Sequence, residues 1–149
     1  MGLLSTSLLG LCSLTRLDLS CNLNAIPNDI CYLFSLKYLF LSGNHFSCLP
    51  ESFAQLSILK SLEVDNCTSL RSWPKLPLNI FYISGYGCTL LETLPDLFQT
   101  NSLSGRGLFL SNCNKLAKNQ GFIDMFFAMI IKSLRLPLSR FVLNNIHGF

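Results

Sequence analysis

Between Leu14 and Cys113 the chain repeats one arrangement: apolar, two variable, apolar, one variable, apolar, two variable, then Asn or Cys. The copies are Leu14, Leu17, Leu19, Asn22; Leu36, Leu39, Leu41, Asn44; Leu59, Leu62, Val64, Cys67; Ile80, Ile83, Gly85, Cys88; and Gly105, Leu108, Leu110, Cys113. Starts advance by 22, 23, 21 and 25 residues. Two apolar residues separated by one share a face of an extended strand, so each copy predicts a short strand with its apolar side inward and the residues between them outward. The Asn or Cys falls where the chain leaves the strand, where a small polar side chain can satisfy backbone groups that the turn leaves unpaired. Stacked copies therefore predict a ladder of Asn22, Asn44, Cys67, Cys88 and Cys113.

The rest of each copy repeats too. Leu8 and Leu11, Ile30 and Leu33, and Phe53 and Leu56 stand six and three residues ahead of Leu14, Leu36 and Leu59, and predict a convex layer. After the ladder, Ile26-Pro27, Leu49-Pro50, Trp73-Pro74 and Leu94-Pro95 mark bends at which proline stops strand pairing. Trp73 is expected to be a bulky core residue. A period of 21 to 25 residues is that of leucine-rich repeats. The fold class is an α/β solenoid, a horseshoe arc with short parallel strands on its concave side and loops, turns and short helices on its convex side. Residues 1–13 read as the convex half of an incomplete repeat, 14–116 as five repeats, and 117–149 as a post-repeat segment. Because the first strand has no predecessor, the chain is expected to be a piece of a larger protein. Phe122, Met125, Phe126, Met129, Ile130 and Leu134 fall at helical spacing and predict an amphipathic helix over the last repeat, stopped by Pro137. Arg140 to Ile146 reads as the start of a further strand.

Composition narrows the chemistry. Half of the 149 residues are hydrophobic and 13% are charged, which excludes a disordered tail. The longest apolar run, Met125 to Ile131, lies between Asp124 and Lys132, far short of the roughly twenty residues of a membrane span. Leu3 to Leu14 has no basic residue before it and is a poor secretion signal. Met1-Gly2 with Thr6 fits a myristoylation pattern, yet one acyl chain without a basic run gives no stable membrane anchor. The formal charge of +3 arises after residue 116, where Lys118, Lys132, Arg135 and Arg140 face Asp124 alone. Four dispersed bases make no phosphate-binding stripe, so no nucleic-acid partner is expected. Seven cysteines, an odd number without a CxxC pair, argue against a disulfide framework and against a metal site, and favour a reducing compartment, the cytoplasm or the nucleus. Asn66-Cys67-Thr68 matches a glycosylation sequon, read as chance because Cys67 belongs to the ladder. His45 and His147 have no nucleophile to serve, there is no phosphate-cradling loop, and no enzyme activity or cofactor is expected.

The segments GLCSLTRLDLSCNLNAIPNDI (10–30), SLKYLFLSGNHFSCLPESFAQLSILKSLEVDNCTSLRSWPKLPLNI (35–80), GCTLLETLP (87–95) and LSNCNKLAKNQG (110–121) resemble the C-terminal leucine-rich repeats of plant TIR-NB-LRR disease-resistance proteins, which are intracellular immune receptors. MFFAMIIKSL (125–134) is similar to the helix after the repeats in that family, and 140–149 to the opening strand of its jelly-roll or Ig-like domain. The resemblance implies a recognition module without the NAD-cleaving TIR domain or the nucleotide-binding domain. Its implied partners are proteins: a pathogen effector, a guarded host protein, or the receptor's own nucleotide-binding domain. Two other readings fit a repeat module: a general interaction scaffold or adaptor, and a secreted inhibitor of a cell-wall-degrading enzyme, which oxidised cysteines and a glycan on Asn66 would mark.

Strand geometry sets where a partner would bind. The outward positions are Arg16, Asp18 and Ser20; Tyr38, Phe40 and Ser42; Ser61, Glu63 and Asp65; Tyr82, Ser84 and Tyr86; and Gly107, Phe109 and Ser111. Arg16, Asp18, Tyr38, Phe40, Glu63, Asp65, Tyr82, Tyr86 and Phe109 are the candidate partner-binding residues, because clustered solvent-facing aromatics mark protein contact surfaces. A neighbouring domain covering them, or a register slip turning Tyr82 and Tyr86 aside, is the alternative.

Overall fold

The computed structural model describes residues 8–95 and 107–133. Five strands, β1 (Arg16–Asp18), β2 (Tyr38–Phe40), β3 (Ser61–Glu63), β4 (Tyr82–Ser84) and β5 (Gly107–Phe109), form one parallel sheet in chain order. Leu17, Leu39, Leu62, Ile83 and Leu108 stand in register across it, so the central apolar position of every copy points the same way. Backbone pairing continues past the strands, with Leu41 N donating to Glu63 O at 2.8 Å and Gly43 N to Asp65 O at 2.8 Å. The chain then turns through a left-handed residue in each copy: Cys21, Gly43, Asn66, Gly87 and Asn112 have φ of 74°, 70°, 57°, 71° and 61°. Glycine and asparagine tolerate that conformation and cysteine does not. Cys21→Gly is therefore expected to stabilise the chain by about 0.5–1 kcal/mol, seen as a higher urea midpoint at unchanged slope.

The convex layer is built of short 3-10 helices, Leu8–Leu11, Asn28–Tyr32 and Glu51–Gln55, the last two each entered through a proline. Ile30, Leu33, Phe53 and Leu56 are buried against Leu36, Leu39, Leu59 and Leu62 from the strand side. Leu8 joins this core, but Leu11 is 47% exposed. A second, smaller ladder of isolated bridges, Cys48 to Ser72 to Thr93, precedes the prolines at 50, 74 and 95. Trp73 is buried, as its alignment with Ile26 and Leu49 predicts, and its Nε1 has no hydrogen-bond partner among the described residues. Its ring fills the space that a side chain at Gly85 would take: a Cβ there would lie 2.9 Å from Trp73 Cζ2 and 3.1 Å from Leu110 Cδ2.

The polar ladder holds at four of its five places. Asn44 is fully buried, donating through Nδ2 to Leu19 O (2.9 Å) and Leu41 O (2.7 Å) and accepting from Leu23 N (2.8 Å). The buried thiols of Cys67, Cys88 and Cys113 each donate at 3.1 Å to the equivalent carbonyl of the preceding copy, on Leu41, Val64 and Gly85. Asn22 departs from the expectation. It is exposed, because a ladder residue is buried by the copy before it and β1 has none beside it among the described residues.

After Leu116–Lys118, the helix α1 (Gln120–Ser133) starts two residues earlier than the apolar spacing alone indicates. Asn119 explains the start: its Oδ1 accepts from Phe122 N at 3.1 Å while its Nδ2 donates to Glu92 O at 2.8 Å, capping the helix and tying it to the last turns. Phe122 is buried and Met125 packs against the core. Among the described residues no helix is long and apolar enough to cross a membrane. Gly2, Thr6, Gly105, Arg106, Leu134, Pro137, the strand expected over 140–146 and His147 lie outside the described residues.

Candidate protein-recognition face

Alternation along each strand sends the residues flanking its central apolar position to the opposite face of the sheet. The register orders them in rows. Arg16, Tyr38, Ser61, Tyr82 and Gly107 form the first, and Asp18, Phe40, Glu63, Ser84 and Phe109 the second. Backbone bonds from Cys21 to Ser42, Gly43 to Asp65, Asn66 to Tyr86 and Gly87 to Ser111 carry a third row, Ser20, Ser42, Asp65, Tyr86 and Ser111. Tyr82 and Tyr86 keep the register of the other copies, so the slip considered from the sequence does not occur.

Small residues stand beside large ones in these rows, and this changes what faces solvent. Ser61 and Ser84, expected to be outward and open, are only 7% and 4% exposed. Strands lie about 4.8 Å apart, so Ser61 is walled by Tyr38 and Tyr82, and Ser84 by Glu63 and Phe109. Glycine at 107 leaves room for the Tyr82 and Phe109 rings, whose centroids are 5.2 Å apart. Tyr38 and Tyr86 are the most open rings, while Phe40, Tyr82 and Phe109 are half-buried. The Arg16 guanidinium lies 4.2 Å from the centre of the Phe40 ring. All nine candidate residues thus occupy one face.

The charges on that face are not simply solvated. Asp18 accepts from the Ser20 hydroxyl (2.6 Å) and amide (3.0 Å), which holds its carboxyl below the ordinary range. Asp65 accepts from the Ser84 hydroxyl and from Tyr86 N, and Tyr86 in turn accepts from Asn112. Glu63 is pushed above its ordinary value, by burial first and by Asp65 next. Tyr82 is pushed up as well, by burial and then by Glu63 and Asp65.

The ladder thiols supply no second chemical site. Burial raises Cys67 and Cys113 to about 11 and Cys88 further still, so the nucleophilic thiolate is suppressed. A thiol-reactive disulfide at pH 8 is expected to modify Cys12, Cys21 and Cys48 in the native chain, whereas Cys67, Cys88 and Cys113 react only after denaturant is added; peptide mapping would assign them.

Residues 35–56 match the family model described as Leucine Rich Repeat. The disease resistance-like protein DSC1 of Arabidopsis thaliana is 43% identical over 112 residues, 72% of this chain and 9% of its own length. The TMV resistance protein N of Nicotiana glutinosa is 49% identical over 71 residues, 46% of this chain and 6% of its own. The disease resistance protein RPS4 of Arabidopsis thaliana is 46% identical over 61 residues, 40% of this chain and 5% of its own. These are leucine-rich repeats of the plant disease-resistance family. The TIR-NB-LRR resemblance carried by segments 10–30 and 35–80 agrees with these relatives. The chain spans less than a tenth of the length of these curated relatives.

One surface of these repeats is not predicted by the repeat pattern. Phe34, Ile58, Leu78 and Phe81 are exposed where the chain rises from the convex layer to the next strand, Phe34 and Leu78 each at 64%. Their spacing from the strand start varies between copies, so no fixed period reveals them, although Phe34 near Leu36 and Leu78 and Phe81 near Ile80 are visible in the sequence.

Proposed function

We propose that this module recognises protein through the concave sheet face, sensing a pathogen effector or a guarded host protein, or holding a receptor inactive through contact with its nucleotide-binding domain, and that it performs no catalysis. The observation that carries the reading is the array of five rings, Tyr38, Phe40, Tyr82, Tyr86 and Phe109, on outward sheet positions of repeats whose relatives are disease-resistance proteins. Aromatics supply much of the binding energy at protein interfaces, and on this face they do not build the core. A cytoplasmic or nuclear setting belongs to the same reading. It is supported by the free, exposed thiols of Cys12, Cys21 and Cys48, which an oxidising compartment would put at risk.

The test is a chimera in which these repeats replace the matching repeats of a disease-resistance relative, with and without Tyr38→Ala and Phe40→Ala. Loss of effector-triggered cell death at normal protein level supports sensing, and cell death without effector supports an inhibitory contact. An unchanged response, or a response lost only because the protein no longer accumulates, refutes the concave face as the recognition surface.

A further inference from the structure

Among the described residues the outward sheet positions carry three carboxylates, Asp18, Glu63 and Asp65, against one cation, Arg16, which lies over Phe40. Asp18 and Asp65 are held by Ser20, Ser84 and the Tyr86 amide. Glu63 is different. Among the described residues its carboxylate makes no hydrogen bond or ion pair, although it stands half-buried in the middle of the sheet. Beside it, Ser61 is buried between Tyr38 and Tyr82, and its hydroxyl also has no partner among the described residues. Ser61 and Glu63 thus stand two residues apart on one face, with Tyr38 and Tyr82 opposite Ser61 on the neighbouring strands.

Resting on the reading of the concave face as a recognition surface, we infer that this part of the face takes a cationic side chain, an arginine or lysine of a protein partner, with Glu63 as its counter-charge and Tyr38 and Tyr82 beside it. Charge complementarity selects the occupant. An acidic side chain would be repelled by Glu63 and by Asp65 and Asp18 on the same face, and an apolar one would leave Glu63 and Ser61 further desolvated. A guanidinium or ammonium gives Glu63 a charge-assisted hydrogen bond and meets the negative faces of the rings. Burial first and Asp65 next raise the titration of Glu63, with Arg16 opposing; the charged and titratable groups about it are Asp65, Arg16, Asp18 and Tyr82.

The test is an amide and side-chain NMR titration of the full chain with three probes: tri-arginine, tri-citrulline and tri-glutamate peptides. Tri-arginine is expected to move the resonances of Glu63, Ser61, Tyr38 and Tyr82, with tri-citrulline binding about tenfold more weakly and tri-glutamate not binding. Glu63→Gln is expected to weaken tri-arginine about tenfold. Should that variant fail to fold, the unaltered chain reads the same contact: tri-arginine must lower the pH at which Glu63 titrates and must dissociate as Glu63 protonates. Equal binding of tri-arginine and tri-citrulline on the concave face overturns the cation site while leaving that face a recognition surface. Shifts confined to Glu51, Glu92 or Asp124 also overturn the site. If no probe moves the concave resonances, the cation site falls, and the chimera separately decides the recognition surface.

Discussion

Asn44→Ala is expected to lower the unfolding free energy by about 3 kcal/mol, since two backbone groups lose their buried partner at about 1–3 kcal/mol each. Those groups are the Leu23 amide and the Leu19 carbonyl, both in the copy before Asn44; Leu41 O keeps the Cys67 thiol. Asn44 is thus the side chain that fastens the first copy to the second. Amide exchange should accelerate most at Leu19, Cys21 and Leu23 and least around Leu62. Asn44→Cys imitates the later copies by restoring one donor and is expected to recover about 1 kcal/mol of the loss. A loss below about 1 kcal/mol for the alanine variant, read from urea midpoints, would show that water replaces these bonds and that the ladder is dispensable there.

Gly85 yields the second large effect, and its sign is opposite to what the repeat suggests. The aligned residues are Leu19, Leu41, Val64 and Leu110, so Gly85→Val restores the pattern. It is nevertheless expected to destabilise by about 2–3 kcal/mol, because the new side chain enters space held by Trp73 and Leu110. Trp73→Leu alone should cost about 3 kcal/mol by leaving a cavity, though it removes an indole N–H that is buried without an acceptor. Together the two changes should cost about 1–3 kcal/mol less than their sum, since the valine refills what the tryptophan vacates. Additive effects in a double-mutant cycle would show that the two sites do not share one volume.

The strands, their order and the nine candidate face residues were legible because alternation and a fixed period leave one register that buries Leu17, Leu39, Leu62, Ile83 and Leu108 together. What the pattern could not convey was size across strands. Ser61 and Ser84 satisfy the outward rule and are still covered, because the rule describes one strand and their burial comes from the next. Gly85 likewise looks like decay of the repeat until Trp73, twelve positions earlier, is seen filling it. Asn22 and Leu11 follow the period yet stand exposed, since burial in a stack requires a neighbour as well as a position. The left-handed column, Cys21, Gly43, Asn66, Gly87, Asn112, was readable as glycine or asparagine one residue before the ladder at four of five places.

The separation of backbone pairing from the outward rows bears on how such a surface changes over generations. Strand order is held by main-chain bonds, inward leucines and the buried ladder, so a substitution at Tyr38, Phe40 or Tyr86 leaves the scaffold's register intact. Neighbours within a row are only one strand spacing apart, so one codon change also alters the cover over the adjacent copy, as at Ser61. A lineage under pressure from a changing partner can therefore rewrite this face one letter at a time, with each letter read in the context of the two beside it.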